Sequence, residues 1–157
     1  MADRLGKGTG IGLGFVQGFN LKDGAIASSV NAMCENLVAV GTNAADMAVA
    51  MNHVAQIGGG KVVVRGGKPI AVVELPVLGL ISEDPHAVVL EKFNQAFIAI
   101  AELGCDLVSP FSQLEFSFAC GEIGELKLSE EGLVRITAES VEKVGLFVER
   151  EPAGLPA

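Results

Sequence analysis

Ile26-Ala27-Ser28-Ser29-Val30-Asn31-Ala32-Met33-Cys34-Glu35-Asn36-Leu37-Val38-Ala39-Val40-Gly41-Thr42-Asn43 is the stretch that decides the fold. Ala25 to Val30 and Leu37 to Val40 are short apolar runs with β-branched residues, bounded by polar breaks, and read as two strands. Thr42-Asn43 then opens a helix, with Asp46 three residues after Asn43 in a capping-box-like arrangement. Met47, Ala50, Met51, Val54 and Ile57 follow at helical spacing, so one stripe of that helix faces a core. Gly58-Gly59-Gly60 ends it.

Upstream, Ile11 to Phe19 alternates glycine with apolar residues, as expected of a strand approached closely by other backbone. Lys22-Asp23-Gly24 is a turn. Downstream, Lys61 to Arg65 and Pro69 to Leu75 flank Gly66-Gly67, a strong hairpin signal. Pro76 to Ile81 reads as an apolar loop. Asp84-Pro85 pairs an N-cap with proline at the first helical position. The helix that follows is expected to bury Val89, Phe93, Ala96, Phe97, Ile100 and Leu103, with Gly104 as its stop. Leu114 to Phe118, Glu125 to Leu128, Leu133 to Ile136 and Val144 to Val148 are expected as strands. The fold class expected is α+β: a single domain with a mixed β-sheet and two main helices, 43–57 and 85–103, packed on it. Residues 1–9 are expected to form a flexible lead-in, 10–150 the domain and 151–157 a loose tail.

With 157 residues, 50% hydrophobic and 19% charged, a compact domain with a real core is favoured over disorder. No charge-free apolar run approaches the ~18 residues of a membrane-spanning helix, and no secretory leader is visible. A net charge of −8 and the absence of Trp and Tyr argue against nucleic acid as a partner. Three cysteines without CxxC spacing read as reduced, metal-free thiols, which places the chain in the cytoplasm.

Few motifs carry chemistry. Gly6-Lys7-Gly8-Thr9-Gly10-Ile11-Gly12-Leu13-Gly14 has neither the GxxxxGK[ST] order nor the GxGxxG register of a phosphate loop. His53 and His86 are the only histidines, far apart in sequence, whereas a catalytic metal wants three converging protein ligands, so no metal ligands are assigned. Cys34 beside Glu35 is a poor nucleophile, because a neighbouring anion disfavours the thiolate. No carboxylate pair is spaced for acid–base work, and no catalytic residue is assigned. Asn31, Cys34, Glu35 and Asn36 remain as candidate ligand-binding residues on a loop between strands; a solvated loop tip is the plainer reading of the same run.

Several segments taken in order resemble the adenine deaminase C-terminal domain. They are Gly12-Leu13-Gly14-Phe15-Val16-Gln17-Gly18-Phe19, Lys22 to Ser28, Val40-Gly41-Thr42-Asn43 with Asp46-Met47, Ile57 to Gly60, Leu75 to Leu80, Glu102 to Cys105 and Glu125 to Leu128. In that family the break between the two opening strands usually reads His-Asp-Ser-His-Asn; here it is Ala32-Met33-Cys34-Glu35-Asn36. The stretch before Glu125, which contains proline in the family, is here Cys120 to Gly124. The resemblance implies a hydrolase family that converts adenine and water to hypoxanthine and ammonia on an amidohydrolase barrel using a divalent metal such as manganese or iron. A barrel needs about 250 residues and is not in this chain.

Two readings follow. In one, the chain is an accessory domain, inactive alone and without a cofactor of its own, that forms a homo-oligomer or joins a barrel partner. In the other, it is a small purine or amide hydrolase, or a ligand-binding protein, with its polar site around Asn31 to Asn36. The composition is apolar enough to expect a docking face, and the Pro76 to Ile81 loop is its expected centre.

Overall fold

The structure, a computed structural model, describes residues 1–5, 10–31, 36–116 and 126–147. Four strands, β1 (Ala25–Ser28), β2 (Val38–Gly41), β3 (Gly60–Arg65) and β4 (Lys68–Glu74), form a sheet in the order β2-β1-β3-β4. The two strands richest in buried residues, β1 and β3, take the centre, and Ile26 lies opposite both Val40 and Val63. Period-two alternation sends Ile26, Val63 and Val73 to one face and Ala27, Val62 and Val64 to the other. Helix α1 (Ala44–Gln56) covers the second face with Ala50 and Val54. Helices α2 (His86–Glu102) and α3 (Pro110–Phe116) cover the first with Ala96, Ile100, Phe111 and Leu114. Three further strands, β5 (Leu126–Ser129), β6 (Gly132–Ile136) and β7 (Val141–Lys143), make a second sheet in that order.

The α+β class and the two long helices are as the sequence predicts. The strands differ in arrangement: they divide between two sheets, and every pairing is antiparallel. Parallel neighbours need a crossover connection. Within the four-stranded sheet the crossover, α1, joins β2 to β3, and β1 lies between those two.

Local chemistry explains the well-read parts. Asn43 caps α1, its Oδ1 accepting from the Asp46 N–H at 2.8 Å, while its Nδ2 donates to Asp46 Oδ2 at 3.1 Å. The same Asp46 carboxylate accepts from the Gly66 and Gly67 N–H groups at 3.3 and 2.6 Å. Both glycines have positive φ, as a two-residue hairpin turn requires, so the α1 cap also holds the β3–β4 turn.

Four expectations need correction. Leu114 to Phe118 is not a strand over its described part: Leu114, Glu115 and Phe116 finish α3. Phe111, Leu114 and Glu115 are buried together at i, i+3 and i+4, a helical face that the alternating Leu114, Phe116, Phe118 pattern disguised. Among the described residues the last strand is Val141–Lys143, and Val144 to Phe147, the described part of the expected final strand, is not strand. Pro85, not Asp84, occupies the cap of α2 and makes no side-chain cap bond; the Asp84 carboxylate is taken by Lys92. The segment from Ile11 to Phe19 has close backbone approach without strand structure, and only Ile11 forms a bridge, to Ala2. A Cβ on Gly12 would fall on the Ser129 carbonyl and one on Gly10 on the Glu130 carbonyl, so the glycines let this segment lie against the β5–β6 turn.

Within the stretch read as a lead-in, Met1 is buried and Ala2 exchanges two backbone hydrogen bonds with Leu37, both 2.8 Å. The expected tail, 151–157, lies outside the described residues.

Candidate functional site

The sharpest polar feature sits where β1 runs out into the 31–36 loop. Alternation places Ser28 and Lys61, paired across β1 and β3, on the same face as Ile26 and Val63, beneath α2 and α3. Glu115 comes down from α3 and forms a buried ion pair with Lys61. Ser28 Oγ donates to Glu115 Oε1 at 2.7 Å. The Lys61 ammonium also lies over two aromatic faces, 4.9 Å from the Phe111 centroid and 5.8 Å from that of Phe93. Burial pushes the Lys61 pKa down, and the Glu115 carboxylate opposes that shift.

This cluster braces the loop base. Ser28 Oγ accepts from the Val30 N–H at 3.0 Å, and Asn31 Nδ2 donates to the Glu115 carbonyl at 3.1 Å. Asn31 is buried, and its Oδ1 has no hydrogen-bond partner among the described residues. Next to it, Ser29 Oγ donates to the Gly79 carbonyl at 2.6 Å and accepts from Gly60 N–H at 2.8 Å, while Arg4 Nη1 donates to the Ser29 carbonyl at 2.7 Å. The 76–81 loop is thereby strapped to the end of β1. It closes on a Val77–Ile81 bridge, with Leu78 and Gly79 at φ 57° and 71°, and holds Leu78 78% exposed.

Of the four candidates, Asn31 and Asn36 are described and diverge. Asn31 turns inward to α3, whereas Asn36 Nδ2 reaches Glu130 Oε2 in the β5–β6 turn at 3.2 Å. Cys34 and Glu35 lie outside the described residues. His53 on α1 and His86 at the start of α2 belong to helices on opposite faces of the sheet. Among the described residues no three His, Cys, Asp or Glu side chains are grouped to hold a metal. Ser28, Lys61 and Glu115 were not candidates from sequence. The available signal was Lys61 itself, a charge at the inward parity of a strand whose neighbour Val63 faces the core.

Two cavities adjoin these elements. A cleft of about 1000 Å³ opens between the Leu13–Leu21 segment, the β2–α1 junction and β5, walled mostly by apolar groups such as Phe15, Met47 and Leu128. A smaller one, about 430 Å³, lies between Arg4, Leu5, Leu37, Gly59, Leu78 and Leu80. No helix among the described residues is long and apolar enough to cross a membrane.

Fold and site together define a two-sheet α+β domain whose opening β-loop-β unit carries a polar loop braced from below by a buried ion pair. Residues 1–140 match the model of the adenine deaminase C-terminal domain, and the chain belongs to that family. It is 43% identical over 136 residues to an adenine deaminase of Brucella anthropi, covering 87% of this chain and 24% of the relative. It is 44% identical over 134 residues to one of Moorella thermoacetica (85% and 22%), and 42% over 139 residues to one of Clostridium botulinum (88% and 22%). The chain thus spans about a quarter of the length of the curated relatives it matches.

Proposed function

We propose that this chain is the accessory part of a cytoplasmic purine-metabolising system, inactive alone, and that it assembles with an amidohydrolase barrel that deaminates adenine to hypoxanthine with a manganese or iron centre. The observation that carries this reading is the partial coverage: relatives named adenine deaminase are about four times longer, and the match falls on the domain described as C-terminal. The donor set supports it, since two separated histidines cannot supply a metal-activated water.

The 76–81 loop is the face we assign to the barrel. It is rigidly strapped through Ser29, projects Leu78, and lies beside residues 3–5, close to where the preceding polypeptide joins in the longer relatives. Docking there brings the end of β1 near the partner, and of the residues that follow it, Asn31, Cys34, Glu35 and Asn36 are the ones we assign to hydrogen bonding a ligand. The Oδ1 of Asn31, buried and without a hydrogen-bond partner among the described residues, supports a polar ligand here.

The test is direct. Purified chain incubated with adenine and manganese or ferrous iron is expected to release no ammonia above blank. Turnover that comigrates with the protein through sizing and survives metal-stripping controls overturns the reading in favour of a small purine hydrolase.

A further inference from the structure

Met1 and Ala2 lie as the end of a strand between two walls. Ala2 exchanges two 2.8 Å bonds with Leu37 at the start of β2, and Met1 exchanges two of 2.9 Å with Gly12 on the other side. Alternate residues of an antiparallel strand bond to the same neighbour. Ala39 and Gly41 therefore turn their backbone groups to the side on which Leu37 meets Ala2. Among the described residues neither makes a backbone hydrogen bond there, and β2 is the edge of its sheet. The cleft of about 1000 Å³ begins where Met1 stops: one wall is the segment from Leu13 onward, the other is β2 from Ala39 onward.

On the reading of the chain as a barrel's accessory domain, we propose that this cleft is a strand slot. Its occupant is an extended segment of the barrel partner, antiparallel to β2 and in line with Met1 and Ala2. Strand addition of this kind draws affinity from backbone bonds and specificity from alternate side chains. The match to the family begins at residue 1, inside the strand, and the relatives that carry this domain at their C-terminal end are about four times longer. Polypeptide from the barrel side is thus what arrives at this position in them.

Register fixes the chemistry of the occupant. Met1 is buried in the same cluster as Val38 and Val40, on the face under α2 and α3. The next residue of Met1's parity falls level with Val40 and turns inward, so it is apolar. Residues of Ala2's parity pair with Ala39 and Gly41 and turn to the α1 side, where Leu37 and Ala39 are partly buried. On the opposite wall the same strand reaches Gly14, which shares the parity of Gly12 and makes no backbone bond among the described residues. Four residues at about 3.3 Å each run about 13 Å, the length of β2.

Amide exchange on the whole chain tests this, with circular dichroism confirming that each variant is folded. In the wild type the Leu37 amide, bonded to Ala2, is expected to be protected and those of Ala39 and Gly41 open. Placing Ile-Thr-Val-Thr directly before Met1 supplies the segment in register. It is expected to slow exchange at Ala39 and Gly41 at least about tenfold and to leave β4, the opposite edge, unchanged. Gly-Ser-Gly-Ser in the same place is expected to give no protection. Ile-Thr-Val-Pro, which lacks the N–H that donates to the Ala39 carbonyl, is expected to lose most of it. Unchanged exchange with Ile-Thr-Val-Thr overturns the proposal, and so does equal protection by Gly-Ser-Gly-Ser. Ala39 and Gly41 already protected in the wild type overturn it too, because another segment of the chain then fills the slot. The ammonia assay is independent of these results: turnover by the isolated chain overturns the barrel reading whatever the amides do.

Discussion

A single lysine shows how burial changes the meaning of a charge. Lys61 sits in a central strand, and only Glu115, Ser28 and two aromatic faces keep its ammonium tolerable there. Removing one member of a buried pair strands the other, at about 3–5 kcal/mol, whereas replacing both with apolar groups is often neutral. Lys61→Met is therefore expected to lower urea stability by that order, and K61M/E115L to recover most of it; equal losses in both would contradict the pairing. Asp46 gives a prediction in pH. The Asn43 amide, followed by the Gly67 and Gly66 N–H groups, holds its carboxyl below the usual range. The stability it adds is present above the ordinary carboxylate value of about 3.9 and is lost as pH falls through the lowered one. Thermal melts of wild type and Asp46→Asn should accordingly differ near neutrality and converge in acid.

At the scale of elements, connections rather than strands decide what the site can be. Gly59, at φ +125°, lets the end of α1 pass against the 76–81 loop; a Cβ there would meet Gly79 Cα and lie 2.9 Å from the Leu75 carbonyl. Gly59→Ala combines that collision with an unfavourable backbone angle, and should cost about 1–3 kcal/mol. Faster amide exchange at Val77 and Ile81, whose N–H groups both bond within that loop, would locate the damage there. Unchanged exchange with lowered global stability would instead place it in α1.

The whole molecule combines a well-filled three-layer body with apolar surface that a lone domain does not need: the exposed Leu90 and Ile98 on α2, the Leu78 turn and the cleft beside Phe15. Under the proposed function the Leu78 turn meets the barrel, and that assignment can be tested on its own. Leu78→Asp should leave secondary structure unchanged and unfolding free energy within about 0.5 kcal/mol of wild type, as expected of an exposed substitution away from buried features. If it unfolds the chain, Leu78 is part of the core's support and not a free docking residue.

Local chemistry determined what lies close in the chain: the Asn43 cap, the Gly66-Gly67 turn and the helical spacing of α1 and α2, because each depends on backbone angles and neighbours within a few residues. Tertiary structure decided the rest. Whether Leu114 to Phe116 were strand or helix depended on what covered Phe111, and short periodic runs satisfy both patterns. Two all-antiparallel sheets instead of one mixed sheet followed from which strand inserted between β2 and β3. The site shows the same division. Asn31 and Asn36 could be named from the polar break between two strands, but Ser28, Lys61 and Glu115 come from three elements, and only folding brings their side chains together where water cannot reach them.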